Sequence, residues 1–259
     1  MKVVILCGGK GTRLREETEF KPKPLVEIGN LPILWHIMKH YEVHNHNDFV
    51  LCLGHKGNMI KEFFVNYEWD AFDFTLNLRS KEKDYHRSYE EEDWNITFAN
   101  TGYKTGTAGR IQAIKKFITD DLFLVTYGDG VSDVDITKLV AFHKEQGKLA
   151  TLTGVHPAGK YGLLKVEENT ITGFNEKKPT NDLINGGFMV LDKKVFDMIE
   201  EDCMFEEVIL PKLAQDGQLA IFKHNGFWHS MDTHKDFLDL NKMWQESAPW
   251  KTWNDHPNR

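Results

Sequence analysis

The sequence predicts an α/β fold: a mainly parallel, Rossmann-like central sheet with helices on both faces, plus a smaller mixed or antiparallel part. Three observations carry this reading. Short apolar runs alternate with stretches whose apolar residues recur at helical spacing. The first run, Val3-Val4-Ile5-Leu6, leads directly into Gly8, Gly9 and Gly11, the strand-to-turn junction that opens a doubly wound sheet. Beyond about residue 150 the pattern changes to short strands separated by turns.

Taken in order, Val3 to Leu6 reads as a buried strand. Pro22 and Pro24 keep Lys21 and Lys23 extended. Pro32 suits the first turn of a helix carrying Ile33, Leu34, Ile37, Met38 and Tyr41 on one face. Phe49 to Leu53 is a second strand, and Met59, Ile60, Phe63, Phe64 and Tyr67 mark a second helix. Phe72, Phe74, Leu76 and Leu78 alternate as in a strand, and the charged excursion from Arg79 to Asp93 reads as a surface loop, a lid or a subunit contact. Further strands are predicted at Ile96–Ala99, Leu122–Thr126 and Leu149–Val155. Helices open at about Gly109 and run over Ile136–Glu145.

Gly162–Val166, Thr170–Phe174 and Gly187–Leu191 have an antiparallel flavour. Helices at Lys194–Met198 and Glu206–Gln215, a strand at Leu219–Lys223 and a helix to about Gln245 complete the chain. One domain is expected, in two halves of different character, residues 1–150 and 151–259.

Composition narrows the function classes. The 259 residues are enough for one large core; 41% are apolar and 27% charged, as in ordinary soluble proteins. A net charge of −7 argues against a nucleic-acid surface. No apolar run reaches bilayer length, and the first residues enter a strand rather than a signal peptide. Cys7, Cys52 and Cys203 are odd in number and far apart, supporting neither a disulfide framework nor a paired-cysteine zinc site. A cytoplasmic location is expected.

The glycine loop lets backbone N–H groups approach a phosphate without Cβ interference, and Arg13 and Lys23 nearby suit a polyanion. Such a loop also occurs wherever a chain must simply reverse. It fails the Walker pattern, since Gly11-Thr12-Arg13 replaces Gly-Lys-Ser/Thr. It also fails the dinucleotide fingerprint, since Leu14 stands where the third glycine belongs. Asp129, between Gly128 and Gly130, and Asp232, after Phe227-Trp228-His229-Ser230-Met231, both follow apolar runs. Mg²⁺ with a triphosphate is typically held by one or two such carboxylates. Either alone reads first as a turn aspartate, and spacing does not show that one metal uses both.

Several stretches together resemble one family. The loop GGKGTRL, Lys23 within KPKPLVEIGNLPIL, Gly128-Asp129-Gly130, Tyr161-Gly162, Glu176-Lys177, Asn185-Gly186-Gly187 and Trp228 with Met231-Asp232-Thr233 fall in the order found in sugar-1-phosphate nucleotidylyltransferases. ILWHIMKHY, TYGDGVSDVDI, INGGF and APWKTW resemble the branch that transfers CMP from CTP to glucose 1-phosphate.

The resemblance implies that Leu6, Gly8, Gly9, Gly11, Thr12, Thr105, Arg110 and Gly128 surround the nucleotide. It further implies that Arg13 holds the departing pyrophosphate, Lys23 neutralises the α-phosphate, and Asp129 and Asp232 bind Mg²⁺. On the acceptor side it implies Gly162, Glu176, Lys177, Asn185, Gly186 and Trp228, and it favours a homo-oligomer. The chain departs from the pattern at Glu176-Lys177-Lys178-Pro179, one lysine longer than usual, so Lys177 and Lys178 compete for the sugar phosphate. TGTAGR before and at Arg110 is also an unusual spelling, leaving the base open.

His36, His40 and His44, four apart, read as a polar helix face rather than a metal site. Cys7 reads as a small buried residue, and the tryptophans as packing or subunit contacts. The alternatives left standing are the same transfer with UTP, dTTP or another sugar 1-phosphate, and a regulatory nucleotide-sugar-binding module without catalysis.

Overall fold

The computed structural model describes residues 1–87, 92–156 and 183–254, and the backbone of two strands between 163 and 175. A seven-stranded sheet organises the chain. Its strands are β1 (Val3–Cys7), β2 (Asp48–Leu53), β3 (Asn95–Asn100), β4 (Leu122–Tyr127), β6 (Ala150–Val155), β9 (Ile184–Asp192) and β10 (Leu219–His224), in the spatial order β10-β6-β9-β4-β1-β2-β3. β5 (Gly130–Ser132) pairs antiparallel with β11 (Trp228–Ser230) in a separate ribbon, and β7 (Leu163–Glu167) with β8 (Thr170–Asn175) in another.

β1 is parallel to both β2 and β4, while β9 runs antiparallel to both β6 and β4. The predicted strand at Gly187–Leu191 is therefore a central member of the main sheet, not part of an appended one. The chain leaves β1 toward β2 on one side and later returns to β4 on the other. The carboxyl ends of β1 and β4 thus flank a topological switch point, where open α/β sheets bind their ligands.

Strand alternation sends side chains to two cores. Val3, Ile5 and Cys7 join one face with Ile33, Leu34, Ile37, Met38 and Tyr41 of α1 (Ile33–Val43). Val4 and Leu6 join the other with Ile111 of α3 (Thr107–Ala113), Phe123 and Val125. Further helices are α2 (Gly57–Val65), α4 (Ile136–Gln146), α5 (Leu210–Gln215) and α6 (His234–Glu246), with short α-helical turns at Arg15–Thr18 and Tyr67–Ala71. Residues Phe205–Ile209 form a π-helical turn running into α5, and Lys193–Met198 is 3-10 helix, so the two helices predicted there are less regular than their periodicity suggests.

Other expectations are corrected. Lys23 lies in a 3-10 turn, Lys23–Leu25, rather than in extended chain. The charged excursion carries a strand, Lys83–Tyr85, paired with Phe74–Leu76. The histidines of α1 are not a polar face. His36 and His40 are buried, and His36 Nε2 donates to the Ile28 carbonyl at 3.0 Å. His40 Nε2 donates to the Val134 carbonyl at 2.9 Å, and its Nδ1 accepts from Thr252 at 3.2 Å. Such partners remove the penalty for burying an imidazole. Trp250 is buried against His36 and Trp244, and Cys7 is buried as expected.

Candidate active site

Two loops meet at the switch point. Gly128 N donates to the Leu6 carbonyl at 3.2 Å, tying the end of β4 to the end of β1. Gly8 is buried, while Gly9, Thr12 and Arg13 are exposed along the loop. Gly11 adopts φ 64°, and a Cβ there would fall 2.8 Å from the Thr18 methyl, so a side chain is excluded twice over. Thr18 Oγ1 lies 2.9 Å from the Gly11 carbonyl and 2.7 Å from that of Leu14, which fixes the turn from beneath.

Four charged side chains converge beside this loop. Lys23 Nζ donates to Asp129 Oδ2 at 2.6 Å and to Asp232 Oδ1 at 2.8 Å. Arg13 Nη2 reaches the same Asp232 oxygen at 3.1 Å while its side chain stays 75% exposed. The β5–β11 ribbon brings the carboxylates together from positions far apart in sequence, pairing Ser230 with Gly130, and Met231 N donates to the Asp129 carbonyl at 2.8 Å. Ser230 Oγ donates to Asp232 Oδ2 at 3.1 Å. Asp232 N donates to Asp236 Oδ2 at 3.1 Å, and Asp236 closes a capping box with Thr233 at the start of α6.

The electrostatics follow from this geometry. Burial works against the Lys23 ammonium, but its two carboxylate partners outweigh that and hold its pKa above the ordinary lysine value. Burial likewise opposes the charge on Asp232, yet Lys23 first and then Arg13 keep its pKa below the usual aspartate value. Lys23 and Asp232 thus stabilise each other's charged forms.

Arg110 is buried beneath the loop. Its Nη1 donates to Thr101 Oγ1 at 2.8 Å and to the Gly102 and Leu53 carbonyls at 2.9 and 3.2 Å. Its Nη2 donates to the Gly8 carbonyl at 3.3 Å. Thr105 is half-buried at the turn that follows, its hydroxyl occupying the space beside Gly102. Among the residues expected on the acceptor side, Trp228 Nε1 donates to the Gly186 carbonyl at 2.7 Å, and Asn185 Oδ1 accepts from Gly187 N at 2.9 Å. Gly162, Glu176, Lys177 and Lys178 lie outside the described residues.

The structure therefore brings together Leu6, Gly8, Gly11, Gly128, Arg13, Lys23, Asp129 and Asp232. Sequence reasoning missed Thr18, Tyr127, Glu206, Ser230 and Asp236. Thr233-x-x-Asp236 carries a capping signal that could have been found. Nothing local marks Glu206, whose partners come from distant elements.

The donor set also tests the cation. Asp129 and Asp232 offer hard carboxylate oxygens converging on one positive charge, each partly open to solvent. Among the described residues no cluster of three His, Cys, Asp or Glu could hold a metal. Two carboxylates fit a cation that completes its shell with phosphate oxygens and water, not an all-protein cage.

The family model for nucleotidyl transferases matches residues 2–247. The chain belongs to the nucleotidyl transferase family. Members of this family generally use a divalent metal. The transferase is 48% identical to glucose-1-phosphate cytidylyltransferase of Salmonella typhi over 98% of its own length and 100% of that protein's. It is 32% identical to mannose-1-phosphate guanyltransferase of Schizosaccharomyces pombe, over 92% of its own length and 62% of the relative's. Among solved structures, HddC from Yersinia pseudotuberculosis shares its fold at 23% identity with a TM-score of 0.69, over 94% of the transferase and 99% of HddC. No described helix of the transferase is long and apolar enough to cross a membrane.

Proposed function

We propose that the transferase moves CMP from CTP to glucose 1-phosphate, giving CDP-glucose and pyrophosphate. The observation that carries the reading is Lys23 set between Asp129 and Asp232 at the switch point, with Arg13 beside them. The sugar-phosphate oxygen forms a bond to the α-phosphorus of CTP as the bond to the bridging β-phosphate oxygen breaks. The attacking phosphate is already an anion, so the site needs positioning and positive charge rather than a general base. In exchange for its carboxylate partners, Lys23 neutralises the α-phosphate. Arg13, exposed at the loop, holds the departing pyrophosphate. Asp129 and Asp232 would hold a divalent cation, Mg²⁺ in this reading, which would supply further charge neutralisation to the phosphates.

Gly8, Gly9, Gly11 and Thr12 present the loop backbone to the nucleotide, with Leu6 and Gly128 at its floor and Thr105 and Arg110 toward the base. Asn185, Gly186 and Trp228 serve the sugar, together with Gly162, Glu176 and Lys177. Residues 1–150 thus form the nucleotide half and 151–259 the acceptor half, except that Asp232 reaches back across. The free, buried thiols of Cys7 and Cys52 support a reducing cytoplasmic setting. Homo-oligomeric assembly completes the reading and is supported by the charged excursion after Leu78.

The choice of CTP rests on the near-full-length likeness to the Salmonella typhi protein. Pyrophosphate release is the test, measured with CTP, UTP and dTTP against glucose 1-phosphate. Turnover with CTP is expected to dominate. Turnover only with UTP or dTTP would overturn the base, and none with any nucleotide–sugar pair would overturn the enzyme.

A further inference from the structure

Glu206 lies in the π-helical turn Phe205–Ile209, a distortion often found at functional sites. Its carboxylate is half-buried, and no ion pair to it occurs among the described residues. One oxygen accepts the Tyr127 hydroxyl, and the other accepts Thr107 Oγ1 at 2.6 Å. Thr107 Oγ1 in turn accepts from Phe205 N at 2.8 Å, closing the turn onto the start of α3. Among the described residues its partners are neutral hydroxyls, a costly arrangement for a half-buried carboxylate in a merely structural position.

Tyr127 is the last residue of β4, two before Asp129, and stands opposite Leu6 in the sheet. Its ring packs against Gly187 (φ 85°), where a Cβ would fall 2.6 Å from the ring edge. The Tyr127 oxygen also accepts from Asn185 Nδ2 at 3.4 Å, a long bond of the kind that tightens when substrate binds. The Asn185 amide cannot turn over, because Gly187 N–H needs its Oδ1 as acceptor. The Tyr127 hydroxyl proton is committed to Glu206, so its oxygen faces Asn185 as an acceptor. Among the described residues, one N–H of Asn185 and a lone pair on each of Asn185 Oδ1 and Tyr127 oxygen have no partner and can meet a ligand.

We propose that Glu206 is a positioning residue for the acceptor: by fixing the Tyr127 hydroxyl, it sets the polarity with which Tyr127 and Asn185 meet hydroxyl groups of a hexose 1-phosphate. This deepens the acceptor side of the function proposed above and rests on that reading. The same carboxylate ties the acceptor side to α3, which begins just after Thr105.

The test is steady-state pyrophosphate release, using whichever nucleotide the wild type turns over, so that a wrong base leaves the acceptor question answerable. Should the wild type turn over no pair, calorimetric binding of glucose 1-phosphate replaces KM. Glu206→Ala and Tyr127→Phe are each expected to raise the KM for glucose 1-phosphate about tenfold, as for one lost hydrogen bond. The nucleotide KM should stay within about twofold. Because Glu206 acts through the hydroxyl, the double variant should match Tyr127→Phe alone. Glu206→Gln, which retains an acceptor for that hydroxyl, should recover most of the loss. Tyr127→Phe keeps the ring packed on Gly187, so its reading survives any folding defect in Glu206→Ala. An unchanged sugar KM in both single variants, an equal rise in both substrates' KM, or multiplying losses in the double variant would overturn the proposal.

Discussion

Lys23 illustrates how a single side chain decides the character of the site. Without it, Asp129 and Asp232 would face each other as like charges, which disfavours ionisation of both. Lys23→Ala is expected to lower kcat by about a thousandfold, the loss typical of removing a preorganised charge at a transferring group. CTP affinity should fall much less, because Arg13 and the loop backbone remain. Stopped-assay kcat beside equilibrium CTP binding checks this; equal losses would make Lys23 a uniform binder. Lys23 and both aspartates stand in motifs visible in the sequence, and their residue types already suggest phosphate and cation chemistry. That one ammonium touches both carboxylates at hydrogen-bond distance was not visible, because 106 and 209 residues separate the partners.

Among the elements, α6 and the ribbon before it act together. Asp236 accepts from Asp232 N, Thr233 N and Thr233 Oγ1, so one carboxylate caps the helix and holds the backbone of a metal-ligand candidate. Asp236→Ala should destabilise the fold by about 1 kcal/mol, the usual cost of a lost cap. It should also raise the Mg²⁺ concentration needed for half-maximal turnover. A urea titration and a metal titration separate the two effects; an unchanged metal response would confine Asp236 to capping. The π-helical turn before α5 shows the limit of periodicity. Phe205, Ile209, Leu210 and Leu213 are buried at helix-like spacing, yet the pattern cannot register the extra residue in the turn that carries Glu206.

Across the whole molecule, the buried histidines link stability to pH. Burial, with His44 nearby, pushes His40 down to about 4, and burial also pushes His46 down to about 4. In the unfolded chain both bind a proton near pH 6.5. Between those values the unfolded state holds more protons, so stability falls as pH falls from about 6.5 to 4. Urea midpoints at pH 7.5, 5.5 and 4.5 (values chosen to span about that window) should decline in that order. A constant midpoint would mean that these side chains are solvated in the native state. The four-residue spacing of His36, His40 and His44 suggests a polar stripe, but the Ile28 and Val134 carbonyls and Thr252 turn His36 and His40 inward. Only chain segments arriving from elsewhere could satisfy those nitrogens.

By itself the sequence determined the alternation of strands and helices, the glycine loop at the end of β1, and the residue types of the charged cluster. Those properties are local: periodicity, the lack of a Cβ and side-chain charge act over a few residues. Tertiary structure alone decided that the Gly187 strand enters the central sheet antiparallel and that the β5–β11 ribbon carries Asp232 to Asp129. It alone placed Glu206 on Tyr127 and Thr107. Each of these depends on sheet order and strand register, which are set by the burial of two whole cores rather than by any short stretch of chain.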